Sequence, residues 1–313
     1  MFSRRLLRIK VLQILYGYHK TEEKTYIQSE KELIFSINKS YELYHYLMLL
    51  LIDVVEYARS RIELARQKKI PTHEDLNPNT RFIDNKVILQ LAELPDFQHM
   101  IEKKKLSWVD HPDIKKGLFE LITGSELYHS YMNDETTGYE ADKKFILKVL
   151  SEIIYNYENL YLLLEEKNIF WVDDIDFIIQ MIVKTLRKFR EEKTGQIMPM
   201  FKDKEDLEFC KKLLRKTILQ SEDNNKLIEE AARNWDFDRI AFTDILLMQM
   251  AISEVIEFQS IPVKVTMNEY IEISKVFSTR KSSQFINGIL DNIINQLRKE
   301  NRINKTGRGL IGD

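Results

Sequence analysis

The stretch IPVKVTMNEYIEISKVFSTRKSSQFINGILDNIINQL, residues 261–297, contains two amphipathic helices with clear boundaries. Pro262 has no backbone N–H to donate and is typical of the turn that enters a helix. Thr266, followed three residues later by Glu269, fits a capping box at the start of the first helix. Apolar residues recur at helical spacing on both sides of an interruption at residues 278–283. The stretch therefore predicts a helical fold.

Gly288 lies inside the second of these helices, where a glycine costs about 1 kcal/mol relative to alanine. A glycine in this position usually marks the close approach of another backbone or of a ligand. From the residues alone, a tight helix crossing and a ligand-binding surface both remain open.

The same helical periodicity continues through the rest of the chain. With only 9 Gly and 6 Pro in 313 residues, a β-rich and turn-rich fold is disfavoured, and we predict an all-α protein. Cys210 is the single cysteine, so no intrachain disulfide can form, which is typical of a reducing cytoplasm. No apolar run is long enough to cross a membrane. We therefore expect a cytoplasmic protein.

Residues 3–19 predict a helix that carries a basic sector beside its apolar stripe. Arg4, Arg5 and Arg8 occupy this sector, and Tyr16 lies next to Arg5 on the helical wheel. Such a surface can contact phosphates and stack a single-stranded base. A tyrosine packed at the rim of a helix interface is the equally compatible alternative. The formal net charge of −2 does not by itself indicate a nucleic-acid binder.

Further helices are predicted on both sides of the middle of the chain. Residues 203–234 predict a helical hairpin, residues 235–239 a helix start, and residues 240–258 a helix that is apolar on most sides. Long helical stretches are also predicted near residues 40–68, 84–105, 112–132, 139–166 and 173–192, separated by turn signals. The region between residues 20 and 200 is rich in tyrosine and bulky aliphatic residues and is therefore expected to be folded.

A faint internal similarity connects two segments of the chain. The segment LLEEKNIFWVDD at 163–174 resembles LIEEAARNWDFD at 227–238, and the three tryptophans, at positions 108, 171 and 235, are 63 and 64 residues apart. A degenerate duplication would explain this spacing. Chance similarity between helical segments is the alternative.

No catalytic constellation is evident in the sequence. The six histidines lack metal-ligand spacing. The acidic cluster at residues 173–176 lacks the glycine and the terminal glutamate of a calcium loop and is better explained as acids at a helix N-terminus. We therefore expect no cofactor, no metal site and no enzymatic activity.

Three blocks of sequence resemble the NusB family of RNA-binding transcription antitermination proteins, and they occur in the family's order. They are RRLLRIKVLQILYGY at 4–18, WDFDRIAFTDILLMQMAISEV at 235–255 and IPVKVTMNEYIEISKVFSTRKSSQFINGILD at 261–291. The first block alone is a weak signal because basic helices are common. The spacing of residues in the third block is specific. The resemblance implies an all-α, NusB-like bundle of two packed helical subdomains, with an additional helical insertion.

The resemblance also divides the chain. Residues 1–19 are expected to form the first helix of the NusB-like domain and residues 203–297 its remainder. Residues 20–202 would be a helical insertion of unknown role, and residues 298–313 a basic flexible tail.

The resemblance further implies functional residues. Arg4, Arg5, Arg8 and Tyr16 match the family's RNA-contacting helix, and Phe285, Asn287 and Gly288 match its FxNG motif near the RNA surface. Lys281, with Arg280, stands where the family often has acids, which would strengthen attraction to phosphate and lower sequence selectivity. Asp244 matches an acidic position that faces a protein partner. Glu254 and Glu269 match positions that are structural as much as functional.

The implied function is recognition of a boxA-type RNA element on nascent ribosomal transcripts, together with the small-subunit ribosomal protein NusE, in the RNA polymerase antitermination complex. One alternative is a protein-interaction scaffold built around the insertion, in which neutralising Arg4, Arg5 and Arg8 would change nothing. Another is an RNA-binding accessory domain related to RNA methyltransferases. This second alternative is disfavoured, because the sequence contains no paired catalytic cysteines and offers no cofactor-binding α/β domain after Asp291.

Overall fold

The computed structural model describes residues 1–233 and 240–311. Over these two ranges the chain contains helices and no named β-strand, and Arg190 and Lys193 form an isolated β-bridge. The predicted all-α class is confirmed. The helix start predicted at residues 235–239 lies outside the described residues.

The helices, in chain order, are α1 (Arg4–Lys20), α2 (Tyr26–Arg66), α3 (His73–Leu76), α4 (Lys86–Ala92), α5 (Pro95–Lys104), α6 (Pro112–Thr123), α7 (Glu126–Asn133), α8 (Tyr139–Lys148), α9 (Glu158–Lys167), α10 (Ile175–Lys188), α11 (Lys204–Leu219), α12 (Ser221–Ala231), α13 (Phe242–Glu257), α14 (Val263–Phe277) and α15 (Ser282–Lys299). A π-helical turn, Val149–Ile153, and a 3-10 turn, Ile154–Asn156, join α8 to α9. Two further 3-10 turns lie at Ile169–Trp171 and Gly307–Leu310.

The chain divides into two compact units. We call Phe2–Ile37 with Phe201–Asp313 the terminal unit, and Met1 with Asn38–Met200 the central unit. The boundary between Ile37 and Asn38 falls inside α2, a single helix of 41 residues. The division predicted from the sequence, which places the ends of the insertion at residues 20 and 202, stays a prediction.

Helix α13 forms the core of the terminal unit. Helices α1, α11, α12, α14 and α15 all pack against it, and its residues from Leu246 to Val255 are all buried. This explains why the sequence of α13 is apolar on most sides. The predicted hairpin at 203–234 is confirmed as α11 and α12.

Helix α1 is more deeply buried than its periodicity indicates. Ser3 caps the helix by accepting a hydrogen bond from the backbone N–H of Leu6, at 3.2 Å. Residues 6–12 that follow are all buried, including Arg8 and Lys10. The predicted basic sector is therefore only partly at the surface.

The start of α14 differs from the prediction. The helix begins at Val263, directly after Pro262, so that Thr266 and Glu269 already lie inside it. The capping box predicted for these two residues is wrong, because both side chains bond to residues of other helices.

The central unit has its own aromatic core. The rings of Tyr46 and Trp108 stack with 3.9 Å between their centroids, and Trp171 lies 5.7 Å from the same tyrosine. The indole N–H of Trp108 donates to the backbone carbonyl of Tyr46 at 2.9 Å. The helical stretch predicted for residues 84–105 is two helices, because Pro95 starts a new one at α5.

The internal similarity noted in the sequence extends to the order of helices. Helices α8, α9 and α10 begin 65, 63 and 67 residues before α11, α12 and α13. Since Trp235 lies outside the described residues, its environment is not compared with that of Trp171. The parallel agrees with a duplication but does not distinguish it from the common packing of helical hairpins.

The residues after α15 make specific contacts within the terminal unit. The ammonium group of Lys305 donates to the carbonyls of Val255 and Phe258 at 2.8 and 3.0 Å, at the C-terminal end of α13. A cation there is also favoured by the helix dipole. The backbone N–H of Thr306 donates to the carbonyl of Gln259 at 3.0 Å. Within residues 1–233 and 240–311, no helix is both long and apolar enough to cross a membrane.

Candidate nucleic-acid interface

Arg8 is held inside the terminal unit by Glu254. Its guanidinium donates two hydrogen bonds to that carboxylate, at 2.6 and 2.8 Å, and only 3% of the arginine side chain is exposed. Burial alone would lower the pKa of Arg8, but the charge and hydrogen bonds of Glu254 outweigh it and raise the pKa. Arg8 is therefore engaged in an ion pair inside the protein. That it contacts RNA stays a prediction.

Two further donors complete the site around Glu254. The hydroxyls of Thr266 and Tyr270, both on α14, donate to the carboxylate at 2.9 Å each. Burial and the adjacent carboxylate raise the pKa of Tyr270 well above its ordinary value, which keeps the phenol protonated as a donor. Arg8, Thr266 and Tyr270 all donate to the buried carboxylate of Glu254. These hydrogen bonds fix α1, α13 and α14 relative to each other.

Arg5 lies at the surface and pairs with Glu269 of α14. Its Nε and Nη2 donate to the two carboxylate oxygens at 3.0 and 2.9 Å. The arginine side chain is 41% exposed and that of Glu269 is 21% exposed. Hydrogen bonding of the Arg5 guanidinium to the carboxylate of Glu269, which accepts, is the main reason that the pKa of Arg5 is raised. The guanidinium of Arg5 is therefore accessible to solvent but already engaged in an ion pair with Glu269.

Arg4 has a similar environment on the other side of the helix start. Its Nε donates to Asp206 of α11 at 3.1 Å, and the arginine side chain is 38% exposed. The guanidinium also lies 5.1 Å from the centre of the Phe209 ring. The second oxygen of Asp206 accepts from the backbone N–H of Lys202 at 3.3 Å.

Tyr16 lies near the other end of α1, in an aromatic and basic cluster. It is 45% exposed, and its ring meets that of Phe242 edge to face at 5.5 Å. His19 lies 5.8 Å from the same phenylalanine, and the ammonium group of Lys20 lies 4.7 Å from it. Tyr16 thus packs against a neighbouring helix and still presents a face to solvent, so both interpretations of this residue apply.

The start of α15 contains the second group of predicted residues. Lys281 and Gly288 are exposed, and Phe285 and Asn287 are half-buried. A Cβ atom built on Gly288 would meet no described atom within 4 Å. A tight helix crossing therefore does not explain this glycine, and its backbone is open to solvent.

Asp244, the predicted partner contact, is buried at the start of α13. Only 4% of the residue is exposed, and its carboxylate accepts a hydrogen bond from the hydroxyl of Ser282 at 2.7 Å. This contact joins the N-terminal ends of α13 and α15. Within the described part of the chain, the other carboxylate oxygen has no hydrogen-bond partner. Asp244 is therefore buried inside the terminal unit, and its binding to a protein partner stays a prediction.

The candidate residues therefore form three groups on the terminal unit. Two of them lie on α1, where the arginines are near its start and Tyr16 is near its end. A third group, Lys281 with the FxNG residues, lies at the start of α15 and directly before it. Arg5 and Tyr16 are separated by about 16 Å along one face of α1, from a rise of 1.5 Å per residue. The sequence analysis missed Phe242, His19 and Lys20 as neighbours of Tyr16, although Phe242 lies within the second block of resemblance.

Residues 175–295 match the model of the NusB family. A transcription antitermination protein NusB from Salinibacter ruber is 42% identical over 115 residues, which is 37% of this chain and 72% of that protein. The chain belongs to the NusB family. The match begins at the first residue of α10 and includes α11 to α14 and most of α15.

Two other NusB relatives show the same pattern. NusB of Chloroherpeton thalassium is 40% identical over 104 residues, which cover 33% of this chain and 49% of that protein. NusB of Natranaerobius thermophilus is 39% identical over 101 residues, covering 31% of this chain and 73% of that protein. Both relatives are named as transcription antitermination proteins. No solved structure matches the chain.

Proposed function

We propose that this NusB-family protein is a cytoplasmic transcription antitermination factor that binds boxA-type RNA on ribosomal RNA operons. We further propose that it does so with the ribosomal protein NusE, within the antitermination complex of RNA polymerase. Family membership and the names of the related proteins support the general role. The RNA element and the protein partner follow from the resemblance of the three sequence blocks.

The observation that carries the proposal is the open backbone at Gly288. A glycine in the interior of a helix costs about 1 kcal/mol relative to alanine, and no described neighbour requires it here. Close approach of a bound ligand explains it, because a side chain at this position would stand between the ligand and the helix. Phe285 and Gly288 of α15 are three residues apart, and Lys281, the helical N-cap residue, precedes Phe285 by four. The three residues therefore lie on one side of the helix.

This face offers the groups that single-stranded RNA binding uses. Lys281 supplies a cation for phosphate and Phe285 supplies an aromatic ring. Asn287, about 100° around the helix from Gly288, supplies hydrogen bonds to a base edge beside this face. On α1, Tyr16 is exposed enough to stack a base, while Arg4 and Arg5 are exposed enough to contact phosphates. We assign RNA contact first to these accessible residues, and we assign Arg8 the task of holding α1 in place.

The test is RNA binding measured by fluorescence anisotropy. Labelled boxA-type RNA and a scrambled RNA of the same composition are titrated across a salt series, with and without NusE. The proposal predicts tight binding that prefers boxA, strengthens with NusE and weakens as salt rises. Weak, unselective binding that is indifferent to NusE would contradict it.

The central unit motivates the second candidate function, a protein-interaction scaffold. It has its own buried core, and most of it lies outside the family match, which begins at residue 175. The scaffold predicts that replacing Arg4 and Arg5 by alanine leaves the activity in a transcription assay unchanged. Loss of activity in these folded variants would favour RNA binding instead.

A further inference from the structure

The surface pair of Arg5 and Glu269 has a geometry that a phosphate group would share. The carboxylate receives two parallel hydrogen bonds, at 3.0 and 2.9 Å, from one edge of the guanidinium. Arginine binds phosphate through the same planar fork of donors. A phosphate approaching this edge of Arg5 would therefore meet donors that Glu269 already uses.

Glu269 is held in this position from two sides. One of its oxygens lies 3.6 Å from Nη1 of Arg8, and Arg8 is itself fixed by the buried carboxylate of Glu254. Glu269 also lies within α14, so its backbone does not move with a loop. The carboxylate is thus a preorganised partner for Arg5 rather than a passing contact of two flexible side chains.

We propose that Glu269 competes with RNA phosphate for Arg5 and so sets the affinity that an RNA must reach to bind. This inference rests on the proposed function and adds to it that binding is an exchange, in which phosphate displaces a carboxylate. The exchange lowers the gain from any RNA that merely supplies negative charge. The cost is the same for every RNA that contacts Arg5, so it lowers all affinities by one factor. At a given protein concentration, only an RNA with further contacts, such as those to Tyr16 and α15, then stays bound.

The competition has a consequence for the dependence on salt. A phosphate contact normally releases about one counterion from the RNA, which gives the logarithm of the binding constant a negative slope against the logarithm of salt concentration. When phosphate displaces Glu269, the freed carboxylate attracts a cation and offsets this release. Removing the negative charge of Glu269 should therefore steepen the slope by about one phosphate contact.

The experiment compares Glu269→Gln with a matched control, Glu272→Gln, in the full chain. Both substitutions remove one negative charge from α14. Glu272 forms its ion pair with Lys275 and acts on Arg5 only through its charge, without accepting a hydrogen bond from it. The probes are a labelled oligouridylate and a labelled boxA-type RNA, each titrated by anisotropy across a salt series. Thermal unfolding of each variant confirms that it is folded.

We expect Glu269→Gln to bind oligouridylate about two- to fivefold more tightly than the wild type, as follows from the strength of a partly exposed ion pair. The gain should be of similar size for boxA-type RNA, and the salt slope should steepen for Glu269→Gln only. Equal affinities and slopes for the two variants, with clear binding by the wild type, would overturn the competition and leave the proposed function standing. Absence of RNA binding by all three proteins would overturn the proposed function and the competition with it.

A measurement on the wild type covers the case in which Glu269→Gln does not fold. The Nε–H proton of Arg5 is protected by Glu269 and can be followed by NMR. Displacement of the carboxylate predicts that the Arg5 signal shifts as oligouridylate is added, while the signal of buried Arg8 stays in place. An Arg5 signal that is unchanged at saturating RNA would overturn the proposal.

Discussion

Arg8 and Glu254, which are 246 residues apart in sequence, form a fully buried pair that joins α1 to α13. A buried pair of this kind stabilises mainly through the high cost of removing one member, because the other is left as an unpaired charge. The pair therefore determines how the basic start of α1 is presented to any ligand.

The first prediction concerns the stability of this pair. Arg8→Ala should lower the free energy of unfolding by about 3–5 kcal/mol, because Glu254 then remains buried without its partner. Chemical denaturation monitored by circular dichroism measures the change. Arg4→Ala is the control and should cost below about 1 kcal/mol, since Arg4 is 38% exposed. Replacing both members of the buried pair, as Arg8→Met with Glu254→Leu, should cost less than Arg8→Ala alone. A larger loss would show that the hydroxyls of Thr266 and Tyr270 depend on Glu254 as their acceptor.

The second prediction separates stability from binding at Gly288. Gly288→Ala should raise the free energy of unfolding by about 0.5–1 kcal/mol, since alanine is the better helix former and the added methyl group meets open space. The same change should weaken RNA binding, because the methyl group blocks close approach to the helix. Asn292→Ala, at an exposed position of α15, should stabilise without affecting RNA. A stabilised Gly288→Ala variant with undiminished affinity would remove the argument for a ligand at this glycine.

The third prediction tests stacking on Tyr16. Tyr16→Ala should weaken binding of single-stranded RNA by about 1–3 kcal/mol, and Tyr16→Phe should retain most of it, since the ring supplies the stacking face. Isothermal titration calorimetry gives both values. Tyr26→Ala is the comparison, because Tyr26 is also partly exposed but lies outside the cluster with Phe242. Equal losses for Tyr16→Ala and Tyr26→Ala would mean that exposed tyrosines contribute unspecifically.

The fourth prediction is a pH dependence located in the central unit. Burial lowers the pKa of His45 to about 4, and the ring lies among Tyr41, Tyr44 and Phe97. An unfolded histidine titrates near pH 6.5. The stabilisation is therefore complete above pH 6.5 and is lost as the pH falls from there towards 4, because only the unfolded chain takes up the proton.

Between pH 7 and pH 5, this linkage should lower the free energy of unfolding by about 2 kcal/mol. His45→Phe should remove that part of the pH dependence, whereas His99→Gln, at an exposed histidine, should preserve it. Urea denaturation at the two pH values provides the measurement. Parallel losses in the wild type and His45→Phe would assign the effect to other groups.

The helices near the ends of the chain could be predicted because their apolar spacing and boundary residues are local signals. Pro262 directly precedes α14, as expected. Helix α14 also ends, and α15 begins, at the interruption predicted for residues 278–283. The capping box failed for the opposite reason. Thr266 and Glu269 have the right spacing, but stronger partners on other helices take their side chains.

The candidate site was predictable in its residue types but not in their accessibility. A helical wheel places Arg8 beside Arg4 and Arg5, yet Arg8 is buried because α13 supplies Glu254 at that point. No periodicity reports a partner so distant in sequence. For Gly288 the two interpretations are a tight helix crossing and a ligand-binding surface. They differ only in what packs against the helix at this glycine, and the sequence of the helix does not give that neighbour.

Helix α2 has a practical consequence for dissecting the protein. At a rise of 1.5 Å per residue, the 41 residues of α2 extend for about 60 Å. The boundary between the compact units that lies in this helix falls between Ile37 and Asn38. A truncation at this boundary would expose unsatisfied carbonyl and amide groups in the middle of a hydrogen-bond ladder. Limited proteolysis should accordingly cleave at residues 21–25 or 67–72 before it cleaves within α2, and recombinant fragments that keep this helix whole are the ones to express.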